Sequence, residues 1–93
     1  MSKKDAYMEK SRVYLEEQKA KLEQLKAKAK QQIAEGKLEA HEKIDELEQK
    51  IEKAKGKLDQ LADAAEDAWE DVKDKLESTK DDLSKSIKKL FSS

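Results

Sequence analysis

A chain of 93 residues is long enough for one small domain, yet 46% of its residues are charged, 35% are hydrophobic and only 4% are aromatic, which leaves little material for a globular core. The 21 basic and 22 acidic residues nearly cancel and proline is absent, whereas disordered chains favour high net charge and proline. Cysteine is also absent, which excludes disulfides and thiolate metal sites. We therefore expect long helices, each with a narrow apolar face.

The start of the chain, from Met1 to Lys10, lacks the apolar stretch of a secretory signal. No apolar run approaches the roughly 20 residues that are needed to cross a bilayer. We therefore expect a cytoplasmic protein.

The first predicted helical segment has apolar residues every three or four positions, which is the spacing of one helix face. Part of it repeats every eleven residues, a period that favours straighter helices than a heptad does. Gly36 falls on this face, where either close helix packing or a hinge would explain it. The two series with the longer period are Leu22, Ile33 and Ile44, and Leu25, Gly36 and Leu47.

From Ile44 to Val72 the apolar steps are strictly four and three, which gives four consecutive heptads and indicates a coiled coil. Trp69 lies just beside this repeat, where we expect it to cover a partner helix. We call the whole set of expected helix-packing residues the apolar seam. Its members are Leu15, Leu22, Leu25, Ile33, Ile44, Leu47, Ile51, Leu58, Leu61, Ala65, Trp69, Val72, Leu76, Leu83, Ile87 and Leu90.

A helix boundary or kink is expected near residues 62–66. Asp63 followed three positions later by Glu66 resembles a capping box. Acids crowd the residues that follow and lysines crowd the end of the chain, which would suit the dipole of a separate helix over about 64–90. The alanines around Asp63 are also compatible with one helix that continues straight through.

The first third of the chain is basic and the last third is acidic. In a parallel, in-register pair of helices, Lys21 and Lys26 would face each other, which disfavours that arrangement. We therefore expect antiparallel helices with the basic start alongside the acidic end, formed by a hairpin within one chain, by a dimer or by associated hairpins. The expected fold class is all-α, with residues 1–93 as a single coiled-coil-type domain that forms homo-oligomers.

The sequence offers little for chemistry. His41 and Asp45 lie one helical turn apart and could share a metal, but Asp45 stands where the helical zinc-protease motif has its second histidine, and a third ligand is missing. The chain has no phosphate-binding glycine loop and no constellation of nucleophile, histidine and acid. We therefore expect no catalytic residue, no metal, no cofactor and no enzymatic activity.

Two surfaces of the predicted helices are candidates for binding a partner. Lysines crowd the first third, but no aromatic residue lies among them to stack on a base, so we expect no nucleic acid. An apolar stripe runs from Trp69 to Phe91 with lysines beside its end, and such a helix can lie on a membrane surface. The acids of residues 66–74 would be repelled by anionic lipid, so the favoured interpretation is that this stripe packs on another helix. The lysines of the first third are Lys19, Lys21, Lys26, Lys28 and Lys30.

Two stretches, Ser2 to Lys10 (SKKDAYMEK) and Glu66 to Glu77 (EDAWEDVKDKLE), resemble a family of small bacterial coiled-coil proteins associated with stress responses. The distinctive positions are Tyr7, Glu9, Lys10 and residues 67–71. The resemblance implies a soluble bacterial protein linked to stress, without an established activity. The eleven-residue spacing is similar to that of desiccation-protective and apolipoprotein-like repeats.

Two functional hypotheses follow. In the first, the chain is a non-enzymatic assembly or interaction protein whose antiparallel helices associate with a second copy or with another protein. In the alternative, it is a stress protectant or lipid-surface-binding protein that acts through its amphipathic C-terminal helix, residues 64–91.

Overall fold

The computed structural model describes the backbone of residues 2–91 and the side chains of residues 2–90. Within this range the chain forms three helices and no strand: α1 Lys3–Ala34, α2 Leu38–Asp63 and α3 Trp69–Phe91. The all-α prediction is confirmed. No described helix combines the length and the apolar character that a membrane span requires. The expected contribution of the Phe91 side chain to an apolar stripe lies outside the described residues.

The three helices pack side by side in an up-down-up bundle. The 32 residues of α1 extend about 48 Å at 1.5 Å per residue, which accounts for the longest dimension of 51 Å. Lys4 at the start of α1 contacts Ala62 at the end of α2, so these helices are antiparallel. Tyr7 lies beside Trp69 at the start of α3 and Tyr14 contacts Lys80 at its middle, so α1 and α3 run in the same direction.

This direction corrects one expectation. The basic start of the chain was expected to lie antiparallel to the acidic end, but α1 and α3 are parallel, and the antiparallel neighbours are α1 with α2 and α2 with α3. Charge still joins antiparallel neighbours, because Lys26 of α1 contacts Glu48 of α2 and Lys50 of α2 lies 3.4 Å from Asp82 of α3. These pairs are largely solvated, so they favour an alignment more than they stabilise the bundle.

The core is a narrow column of side chains from all three helices. Ile33, Val72 and Leu90 of the apolar seam are half-buried against it, and the small residues Ala29 and Ala54 complete it. The apolar seam is therefore closed largely within one chain. The seam residues that are buried are Leu15, Leu22, Leu25, Ile44, Leu47, Ile51, Leu58, Leu61, Trp69, Leu76, Leu83 and Ile87.

Gly36 forms the turn between α1 and α2. Its φ is +86°, which an L side chain rarely adopts. The amide of Gly36 donates to Ile33 and that of Lys37 donates to Gln32, each at 3.0 Å, which is the Schellman pattern that ends a helix at a glycine. A Cβ on Gly36 would meet nothing within 4 Å. Of the two explanations that the sequence left open, the structure therefore shows the turn and not close packing.

The second link joins α2 to α3. Asp63 is the last residue of α2 and α3 begins at Trp69, so Asp63 and Glu66 do not form the capping box that was expected. Ala65 is exposed in this link and lies outside the core, because the heptad spacing does not continue as helix there. The ammonium of Lys4 donates to the carbonyl of Ala64 at 2.6 Å and so satisfies the end of α2.

The third helix is shorter than the hairpin that it covers. Lys50 of α2 contacts both Asp82 and Ser86 of α3, so it lies at the level of Ser84, and in antiparallel helices Leu90 then lies near the level of Ile44. Beyond that level, for about two helical turns, the described residues are almost entirely those of α1, α2 and their turn. We call this segment, residues 28–43, the hairpin end.

Because the core is narrow, we expect the free energy of unfolding to depend steeply on the size of individual core side chains. Leu76 is 0% exposed, and Leu76→Ala should lower the free energy of unfolding by about 2 to 4 kcal/mol, because it removes buried surface and leaves a cavity. Urea unfolding followed by circular dichroism measures this change. Val13→Ala is the control, since Val13 is 45% exposed and should change stability by less than about 0.5 kcal/mol. Equal losses in both variants would contradict this core.

Candidate functional site

Polar side chains interrupt the core where α1 meets α3. Tyr7, Ser11 and Tyr14 of α1 face Glu77 and Lys80 of α3, and we call these five residues the tyrosine–lysine cluster. Tyr7, Ser11 and Tyr14 share a face because they are three or four positions apart on one helix. Glu77 and Lys80 meet in the same way on α3.

Lys80 lies at the centre of the tyrosine–lysine cluster and is only 8% exposed. Its ammonium is 5.0 Å from the ring centroids of both Tyr7 and Tyr14 and 3.3 Å from the hydroxyl of Ser11. A cation between two aromatic rings is attracted to their faces. This attraction, with the Glu77 carboxylate 3.5 Å away, offsets the loss of water around the ammonium.

The two phenols are held by different acceptors. The Tyr7 hydroxyl donates to the Glu77 carboxylate at 2.5 Å, whereas the Tyr14 hydroxyl donates to the backbone carbonyl of Lys80 at 2.9 Å. Burial raises the pKa of both phenols above the ordinary 10.0, and Glu77 raises that of Tyr7 further. The hydrogen bond from Tyr7 lowers the pKa of Glu77. The phenols therefore stay neutral donors and Glu77 stays an ionised acceptor.

Trp69 extends this surface toward the link between α2 and α3. Its ring lies 6.4 Å from that of Tyr7, tilted by 42°, and the Lys73 ammonium is within 6 Å of both rings. Trp69 itself is buried. The helix that it covers is α1 of the same chain.

The tyrosine–lysine cluster was not predicted as a site, although Tyr7 and Glu77 belong to the stretches that carry the family resemblance. Ser11 and Gln18 are both buried and continue the spacing of Leu15 and Leu22 in steps of four and three, so a heptad reading that admits polar residues would find them. Lys80 also fits this spacing, four residues after Leu76 and three before Leu83. Spacing along α3 does not reveal that two aromatic rings from another helix surround its ammonium.

The other candidate residues lie on exposed faces. The His41 Nδ1 and the Asp45 carboxylate are 3.1 Å apart, as their spacing predicts, and no group of three potential metal ligands occurs among the described residues. Of the lysines in the first third, Lys19, Lys21, Lys28 and Lys30 are exposed.

A second feature is an open cavity at the hairpin end, with a volume of about 480 Å³. Among the described residues, α3 ends before it reaches the turn, so these residues leave part of the apolar face of the hairpin uncovered there. Lys28, Lys37 and Lys43 surround it together with one acid, Glu39. Its apolar lining consists of Leu25, Ala29, Leu38, Ala40, Ile44 and Leu90.

A wider groove between α2 and α3, about 920 Å³, adjoins this cavity. Lys50 crosses it to Asp82 and Ser86. Lys43 and Leu90 line both spaces, so the groove and the cavity form one continuous surface at this end of the bundle.

Comparison with models of known protein families, with curated proteins and with solved structures finds no match for this chain.

The stability losses caused by substituting the two tyrosines should respond differently to acid. Tyr7→Phe should lower the free energy of unfolding by about 1 kcal/mol at neutral pH, a modest loss because Glu77 is exposed to solvent. The folded-state pKa of Glu77 is below its ordinary 4.5, so the stabilisation is complete above that value and is lost as the pH falls through the folded-state pKa. The difference between wild type and Tyr7→Phe should therefore shrink in acid.

Tyr14→Phe is the matched control, because its acceptor is a backbone carbonyl that does not titrate. Its loss of stability should stay constant over the same pH range, as measured by urea unfolding from neutral pH to about pH 3. If the losses in both variants depended on pH in the same way, the bond from Tyr7 to Glu77 would not be the cause.

Proposed function

We propose that this chain is a non-enzymatic helical assembly and interaction protein, bacterial, cytoplasmic and associated with stress. Its self-association uses the same antiparallel contacts that close the single-chain bundle. The observation that carries the proposal is the continuity of the apolar seam across the turn at Gly36. The stress association rests on the two stretches that resemble the bacterial family.

The contact between α1 and α2 supports exchange between copies. Ile33 precedes the turn, and Ile44 lies after the turn, eleven residues from Ile33. One continuous helix through Gly36 would therefore carry both on the same face. Such a helix cannot fold back on itself. It can pair with α1 and α2 of a second copy and restore every contact of the hairpin, which is domain swapping through a short hinge.

The exposed surface favours exchange over docking of closed bundles. Among the described residues, only Val13 and Leu38 are exposed large hydrophobic side chains. A stable interface between closed bundles would need a larger apolar centre than these two residues provide. Exchange of α1 needs no new surface, because it reuses the core.

Substitution of Gly36 tests this proposal. Gly36→Ala should shift the chain from monomer toward dimer, because alanine disfavours a φ of +86° by about 1 to 2 kcal/mol and favours helix over glycine by about 1 kcal/mol. Sedimentation equilibrium at tens of micromolar measures the mass. Wild type should show a smaller dimer fraction that grows with concentration.

Gly56→Ala is the matched control. Gly56 lies within α2 on the exposed face, where a Cβ would meet nothing within 4 Å. This variant should gain stability without a change in mass. If wild type and Gly36→Ala both remained monomeric up to millimolar concentration, self-assembly would be rejected.

The alternative function, protection of lipid or apolar protein surfaces through α3, is favoured by one observation. The contact of α1 with α3 includes the polar interactions of the tyrosine–lysine cluster, whereas Leu76, Leu83 and Ile87 of α3 form a continuous apolar stripe that the bundle buries. A helix held on one side by polar contacts can leave the bundle when an apolar surface replaces its partners.

Vesicles distinguish this alternative from self-assembly. If α3 moves onto lipid, Trp69, now 8% exposed, should be quenched by brominated acyl chains in anionic vesicles, and Tyr14→Phe should increase that quenching by weakening the contact between α1 and α3. Helix content should change little, because the described chain is helical already. Unchanged Trp69 fluorescence with both proteins at saturating lipid would reject the alternative.

A further inference from the structure

The cavity at the hairpin end has the properties of a small-ligand site. Its volume of about 480 Å³ falls in the range of roughly 300 to 1,000 Å³ that is typical of ligand pockets, and such pockets combine an apolar lining with a few polar groups. Here the lining comes from the apolar seam and the polar groups are lysines at the mouth. We propose that this cavity binds a single-chain anionic amphiphile of the fatty-acid class, with the acyl chain in the cavity and the carboxylate at Lys37 and Lys43.

The charge of the mouth selects an anion. Of the charged side chains that line the described part of the cavity, Lys37 and Lys43 lie at the start of α2 beside one acid, Glu39. Lys43 lies 3.3 Å from Glu39, but both side chains are exposed, so that pair is weak and can be exchanged. Lys37 precedes α2 and its side chain makes no hydrogen bond to the helix it caps. A carboxylate between these ammonium groups gains charge-assisted hydrogen bonds that a neutral or cationic head group cannot form.

The apolar part of the cavity selects a chain and not a helix. Leu38 is 68% exposed and lies at the mouth, where the first methylenes of an acyl chain would cover it. Leu25, Ile44 and Leu90 lie deeper and are buried or half-buried. The part of the apolar face that the described residues leave uncovered is only about two helical turns long, which is too small for a stable interface with a protein. A single acyl chain needs no larger surface.

Calorimetric titration of the full chain with dodecanoate, kept below its micellar concentration, tests the site. We expect one ligand per chain. Decanoate, with two methylenes fewer, should bind about tenfold more weakly, and dodecyltrimethylammonium should not bind. Binding that ignored the sign of the head group would overturn the proposal.

Matched variants test whether dodecanoate binds in this cavity. Leu38→Glu should weaken dodecanoate binding at least tenfold, because it puts a carboxylate at the mouth. Val13→Glu makes the same change at the other exposed hydrophobic position, on α1 away from the cavity, and should leave binding unchanged. Lys37→Glu combined with Lys43→Glu should abolish binding. Circular dichroism and urea unfolding verify that each variant is folded, and equal effects at Leu38 and Val13 would reject the site.

Other occupants give different results. If wild type failed to bind and Phe91→Ser bound dodecanoate, the chain itself would occupy the cavity and the proposal would be wrong. Binding to anionic vesicles without binding of monomeric dodecanoate would also overturn it in favour of a lipid surface. Loss of binding on dimerisation of wild type would assign the cavity to a second copy. None of these outcomes decides whether α1 is exchanged between copies, which the Gly36→Ala experiment measures separately.

Discussion

Burial of a column one or two side chains wide is the interaction on which this fold depends. The chain has 35% hydrophobic residues, and each helix of the bundle buries its apolar face against the other two. A fully buried Leu contributes about 1.5 to 3 kcal/mol, and residues such as Leu47, Leu61 and Leu83 are at most 1% exposed. The remaining surface is charged and contributes little. The stability of the closed bundle therefore comes mainly from the contact of its three apolar faces.

The polar residues of the core decide how the faces meet. An apolar column alone would tolerate several alignments of α1 against α3, because Leu packs well at many heights. Lys80 between Tyr7 and Tyr14 is satisfied at one height only, since a shift would separate its ammonium from both rings. Every buried side-chain nitrogen and oxygen in the described part of the chain has a hydrogen-bond partner. A buried polar layer of this kind sets the register between helices and contributes less to stability than an apolar layer would.

The sequence predicted those parts of the structure that depend on spacing along one helix. The four and three steps of Leu47, Ile51, Leu58 and Leu61 became the buried face of α2, and the acids and lysines at the two ends of α3 suit its dipole. The spacing did not predict where α1 ends, because apolar residues recur across Gly36 as they would in an uninterrupted helix. A single glycine carries the break, and the hydrogen bonds that close it come from backbone that any sequence possesses.

Features that depend on contacts between separate helices could not be predicted from the spacing of residues along one helix. The contact of Lys4 with the end of α2 joins residues 60 positions apart, and the bond from Tyr14 to the Lys80 carbonyl joins residues 66 apart. The length of α3 relative to the hairpin likewise could not be predicted from that spacing. Because 23 residues of α3 pack on a hairpin whose first helix has 32, Trp69 is buried at one end of the bundle, whereas at the other end the described residues leave Leu38 exposed. The described bundle is thus asymmetric along its length, although its sequence pattern is nearly uniform.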